Sequence, residues 1–77
     1  MPMSKRARPL MSFGKNVRRL RDASGLTQQG VAKKADLDPT YISGIERGVR
    51  NPSLLSITRL AKALRVSVSE LCTGVRP

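Results

Sequence analysis

Seventy-seven residues are about half the length of a typical domain, so the chain is expected to form one unit around a single core. Fifteen Lys and Arg against five Asp and Glu leave a formal net charge of +10, which calls for an anionic partner, a nucleic acid before a membrane surface. With no histidine and one cysteine, Cys72, the chain cannot assemble an internal disulfide, the usual zinc ligand sets or Ser/His/Asp and Cys/His catalysis; no enzymatic activity, metal, cofactor or small-molecule substrate is expected.

Met1 to Met11 holds Lys5, Arg6 and Arg8 between Pro2 and Pro9 without apolar periodicity, and reads as a flexible basic arm ahead of a folded domain over residues 12–77. Such an arm can follow phosphates or enter a minor groove. It can equally be a solvated terminus, and Met11-Ser12-Phe13 could itself begin the protein. No apolar run reaches the ~18 residues of a membrane span and the first ten residues lack a signal-peptide core, so a soluble cytoplasmic protein is expected.

From Phe13 the apolar residues recur at helical steps, with Phe13, Val17, Leu20 and Ser24 on one face, Ser12 suited to the N-cap and Gly25 to the stop. The other face carries Lys15, Arg18 and Arg19. A second helix enters at Thr27 as N-cap, with Leu26 and Val31 placed as a hydrophobic staple, and runs to about Ala35. Gly30 in its first turn costs up to ~1 kcal/mol relative to alanine. Asp38 caps a third helix that has Pro39 at its first position, where a missing N–H is harmless, and ends near Arg47 at Gly48. Ser53 caps a fourth helix with Leu54, Ile57, Leu60, Ala61 and Leu64 in phase. Ser67 and Glu70 have capping-box spacing before Leu71 and Cys72 and open a short fifth helix. The fold class predicted is an all-α five-helix bundle.

The segment Gln28 to Arg47 has the length and apolar placement of a helix-turn-helix, with Val31, Ala35, Leu37, Ile42 and Ile45 at an inner seam and Ala32 small enough for a close crossing. If Ile42 and Ile45 face inward, then at about 100° per residue Thr40, Ser43, Gly44 and Arg47 face outward. Small polar groups there suit base edges in a major groove, with Gly44 permitting close approach, although they could simply solvate an exposed helix. Val66, Val68, Leu71 and Val75 are more apolar surface than five short helices easily hide, which predicts a self-complementary dimer contact near the C-terminus. Alternatively they complete the monomer's core. Cys72 reads as a small apolar residue.

Leu26-Thr27-Gln28-Gln29, Tyr41-Ile42-Ser43-Gly44-Ile45-Glu46-Arg47-Gly48, Arg50-Asn51-Pro52-Ser53 and Leu60-Ala61-Lys62-Ala63-Leu64 resemble the phage-repressor and Cro-type helix-turn-helix family. Within it, the run from Asp38 to Arg47 is most similar to the controller proteins of restriction–modification systems, which are dimeric transcriptional regulators. The resemblance spans about Phe13 to Leu71 and implies a lambda-repressor-like domain that binds double-stranded DNA as a homodimer on a near-palindromic operator. It further implies that Gln28 grips a phosphate, Thr40 and Ser43 face bases, Tyr41 meets the backbone or a flexed step, and Arg50 and Asn51 contact the backbone across the groove. It also implies an ion pair of Arg21 with Glu46, and dimerisation near the C-terminus. Two residues depart from the family pattern. Asp36 stands where glycine is common, which predicts strain in a left-handed turn. Pro39 stands where relatives place a base-reading side chain, and it has no side-chain donor. On the residues alone, a sequence-neutral nucleic-acid binder and an antitoxin-type partner-binding module remain alternatives.

Overall fold

From the second helix onward, every helix of the protein begins at a side chain that satisfies a free backbone N–H. In the computed structural model, which describes residues 8–77, α1 spans Arg8–Ala23, α2 Gln28–Ala35, α3 Pro39–Glu46, α4 Leu54–Leu64 and α5 Val68–Leu71. There is no strand among the described residues. Thr27 accepts from the Gly30 N–H, Asp38 from Thr40 and Ser53 from Ser56, while Ser67 and Glu70 close a reciprocal capping box. Each such cap contributes about 1 kcal/mol, which matters for helices of this length.

The first helix differs from expectation. It starts at Arg8, not beyond Ser12, so residues 8–11 of the expected arm are helical and Ser12 is no cap. The reason is local and tertiary together: Pro9 tolerates a first turn, and Met11 packs on Gly48, where an added β-carbon would stand 2.7 Å from Met11 Cγ. The rest of the arm, with Lys5 and Arg6, lies outside the described residues.

Phe13 and Val17 of α1, Val31, Ala32 and Ala35 of α2, Ile42 and Ile45 of α3, Leu60, Ala61 and Leu64 of α4, and Leu71 of α5 form one buried core. The second and third helices pack against each other with Ala32 buried, and α1 packs along α3. Two residues depart from the sequence reading. Leu54, read as part of the buried stripe of α4, is 73% exposed. Ser56 takes the inward place in that first turn, bonded to the capping Ser53 and to Tyr41. Leu71, assigned to a dimer surface, is fully buried. Asn16 of α1 explains this by donating to the carbonyls of Leu71 at 2.9 Å and Thr73 at 2.8 Å, which holds α5 against the core.

Two helices end in the same left-handed turn without glycine. Asp36 has φ 57° and Arg65 φ 58°. The following residues, Leu37 and Val66, return N–H bonds to Ala32 and Ala61 at 2.9 and 3.0 Å, closing a Schellman motif each time. A left-handed L-residue carries roughly 1–2 kcal/mol of steric cost, and a short polar side chain such as aspartate bears it better than arginine. Arg65→Gly is therefore expected to stabilise the protein by about 0.5–1 kcal/mol after the entropy that glycine adds to the unfolded chain. Asp36→Gly should gain less. Thermal or urea unfolding reads both, and an Arg65→Gly protein that is less stable would contradict the turn's strain.

Candidate nucleic-acid interface

The sides of α3 are set by two isoleucines. Ile42 is 0% and Ile45 1% exposed, and this turns Thr40 fully outward with Ser43 partly so. Pro39 at the helix start and Arg47 just past its end are also exposed. The Arg47 side chain folds back, its Nε donating to the Ser43 carbonyl at 3.3 Å. A row of hydroxyl-bearing side chains, flanked by an arginine and too short to obstruct a groove, thus stands on the side of α3 remote from the core.

Behind that row α3 is fastened to α1 by an ion pair. Arg21 Nε meets Glu46 Oε2 at 2.6 Å, and Nη2 meets Oε1 at 3.0 Å, in a two-pronged contact between side chains only 11% and 4% exposed. Arg21 also donates from Nη1 to the Leu26 carbonyl at 2.8 Å and lies 3.2 Å from Asp22. Burial pushes the Glu46 carboxyl up, but the hydrogen bonds from Arg21 and Gln28 and the charges of Arg21 and Arg18 together outweigh it and hold the group below its ordinary range. The hydrogen bond to Glu46 raises Arg21 against a smaller opposing effect of burial, helped by the charges of Glu46 and Asp22.

Several residues assigned from the sequence stand differently in the fold. Gln28, expected on a phosphate, donates from Nε2 to Glu46 Oε1 at 3.0 Å, so one of its two amide N–H donors belongs to the scaffold. Tyr41, expected to meet the duplex, is half-buried against the core and donates its hydroxyl to Ser56 Oγ at 3.3 Å. That bond ties α3 to the capped start of α4. Gly44, expected as an open point of approach, is buried, because the stem of Arg50 lies over it. Arg50 and Asn51 themselves are exposed in the loop after α3. Of the proposed dimer residues, Val68 is 37% exposed and Val66 and Val75 are half-buried against the core, whereas Leu71 is unavailable.

The sequence reading passed over three residues that shape this site. Gly14 presses α1 onto the last turn of α3, so that an added β-carbon would stand 2.8 Å from the Glu46 carbonyl oxygen. A glycine inside an amphipathic helix is the signal that could have exposed it. Ser56, a polar residue in the apolar phase of α4, and Asn16, beside Val17 on α1, are found only through their partners across the fold.

Among the described residues, no helix is long and apolar enough to cross a membrane. Residues 17–71 match the helix-turn-helix family model. The control protein C.BamHI of Bacillus amyloliquefaciens is 47% identical over 60 residues, 77% of this chain and 74% of that protein. The crystal structure of the restriction-modification controller protein C.AhdI from Aeromonas hydrophila superposes with a TM-score of 0.79 at 47% identity, covering 80% of this chain and 94% of that one. The controller C.Esp1396I, solved as a tetramer in complex with its natural 35 base-pair operator, superposes with a TM-score of 0.77 at 37% identity, covering 84% of this chain and 90% of that one. The described core, the Thr27 and Asp38 caps around the turn and these likenesses agree: the chain belongs to the helix-turn-helix family of transcriptional regulators, close to the restriction–modification controllers.

Proposed function

We propose that this protein is a cytoplasmic, non-enzymatic transcriptional regulator that binds a near-palindromic operator as a homodimer, in the manner of a restriction–modification controller. The observation that supports it most is the outward row of Thr40, Ser43 and Arg47 on a helix whose other side is fully buried. In this reading Thr40 and Ser43 meet base edges, and Arg47, Arg50 and Asn51 meet phosphates. Pro39 supplies no donor, so base reading starts one residue later than in relatives with a long polar side chain there. Tyr41 and the free N–H of Gln28 border the duplex from scaffold positions. The net charge of +10 supplies the sequence-independent part of the attraction.

A twofold dimer through Val68, with Val66 and Val75 beside it, sets two copies of α3 about 34 Å apart, one turn of B-DNA. C.Esp1396I, which binds its operator as a tetramer, supports reading the unit as a multimer. Selection of bound duplexes from a random pool tests the proposal. A motif of two inverted half-sites about one helical turn apart is expected, and an asymmetric motif or none would reject it. Against the selected duplex, Ser43→Ala should lose about 1–3 kcal/mol of discrimination at one base pair. Arg50→Ala should weaken all duplexes alike and lower the salt slope by about one. Uniform losses from both changes would separate α3 from base reading.

A further inference from the structure

Gly44 lies on the outer side of α3 and is nevertheless buried. A β-carbon built there would stand 2.5 Å from Arg50 Cγ, 3.4 Å from Nε and 3.5 Å from Cδ. The backbone explains how a residue six positions later arrives at this place. Gly48, with φ 77°, reverses the chain at the end of α3. The Val49 N–H then donates to the Gly44 carbonyl at 3.0 Å and turns the loop back along the helix. Arg50 follows, its stem running over the bare backbone of Gly44 and its guanidinium carbon 5.9 Å from the centroid of the Tyr41 ring. That separation is within the ~6 Å of a cation–π contact.

We infer that Gly44 is a positioning residue for DNA binding that acts through Arg50, an assignment that rests on the DNA-binding reading above. Its missing side chain is the seat of the Arg50 stem, and the Tyr41 ring holds the guanidinium at the edge of α3, where it meets a phosphate. A stem already confined to one path has less rotamer freedom to lose when the contact forms. Because the stem occupies the space outside Gly44, the duplex does not approach the glycine itself. Gly44 thus contributes affinity without touching DNA.

The test compares Gly44→Ala, Arg50→Ala and the double variant on the selected duplex and on random-sequence duplex over a range of salt, with thermal melting of each protein. Gly44→Ala is expected to weaken both duplexes by the same factor, roughly three- to tenfold, and to lower the salt slope by about one, as Arg50→Ala does. In the Arg50→Ala background it should change affinity no further, because the two residues act as one unit. A loss confined to the selected duplex at unchanged slope, or the same loss repeated in the Arg50→Ala background, would overturn the assignment. Wild-type protein that binds neither duplex would refute the DNA-binding reading instead. Melting judges the seat separately: Gly44→Ala should lower Tm in the wild type and raise it once Arg50 is alanine, since the crowding is gone and alanine favours the helix. An identical Tm change in both backgrounds would show that Arg50 does not occupy the seat.

Discussion

Glu46→Ala is expected to lower the unfolding free energy by about 3–5 kcal/mol, the cost of leaving a buried arginine without its partner. The pair is nearly sealed from water, so Arg21 would keep its charge and lose both carboxylate bonds at once, and the Gln28 amide would lose its single bond to the same group. A domain of this size has only about 5–15 kcal/mol of stability in total, so the variant should be partly unfolded at physiological temperature. The charge itself is not indispensable. Replacing both partners with apolar residues, as in Arg21→Met with Glu46→Leu, should recover much of the loss, because no charge is then stranded and only the neutral Gln28 amide and Leu26 carbonyl lose a partner.

The same pair makes stability depend on acid. The Glu46 carboxyl titrates below its ordinary 4.5 in the folded protein, so the unfolded chain binds the proton more readily. The contribution is complete above that ordinary value and disappears as pH falls through the lowered folded value. Arg21, shifted upward, stays charged throughout this window. Urea unfolding of wild type and Glu46→Gln from pH 7 to pH 3 should give a stability difference that shrinks with acid. A difference unchanged across that range would mean that the ion pair contributes nothing.

Gly14→Ala should be nearly as damaging, which runs against its helix propensity. Alanine would gain up to ~1 kcal/mol within α1 considered alone. The β-carbon, however, would meet the backbone carbonyls of Ile45 and Glu46, the latter oxygen at 2.8 Å. Backbone at the end of a buried helix cannot step aside as a flexible side chain can, so α1 and α3 must separate. A net loss of about 3 kcal/mol is expected, the upper end of the overpacking range. Denaturant unfolding measures it, and a protein as stable as wild type would show that the helices do not meet at Gly14. Gly14 and the Arg21–Glu46 pair are two successive points at which α1 holds α3. Damage to either should also loosen DNA binding without any direct contact being lost.

Much of this fold was legible along the chain because its signals are short-range. A cap acts on an N–H two or three residues away, so Thr27, Asp38, Ser53 and Ser67 marked four helix starts correctly. Periodicity then oriented α3, since Ile42 and Ile45 lie three residues apart on one helix. The resemblance to controllers pointed to the Arg21–Glu46 contact, which no local pattern could reveal, the two residues being 25 positions apart.

Local signals along the chain set the five helices of the described residues, four of their starting points, the charge that selects an anionic partner and the hydroxyl-bearing side of α3. These follow from backbone hydrogen bonding, helical geometry and composition, each of which operates within a few residues or over the whole chain. The packing of helices on one another was needed to bring Arg8 to Met11 into the first helix, Leu71 into the core, and Gln28 and Tyr41 onto scaffold partners. It also placed Arg50 over Gly44. In every one of these cases the deciding partner lies on another element or across a chain reversal: Gly48 for Met11, Asn16 for Leu71, Glu46 for Gln28, Ser56 for Tyr41. Contacts of that kind depend on how whole helices meet, and no window of adjacent residues contains them.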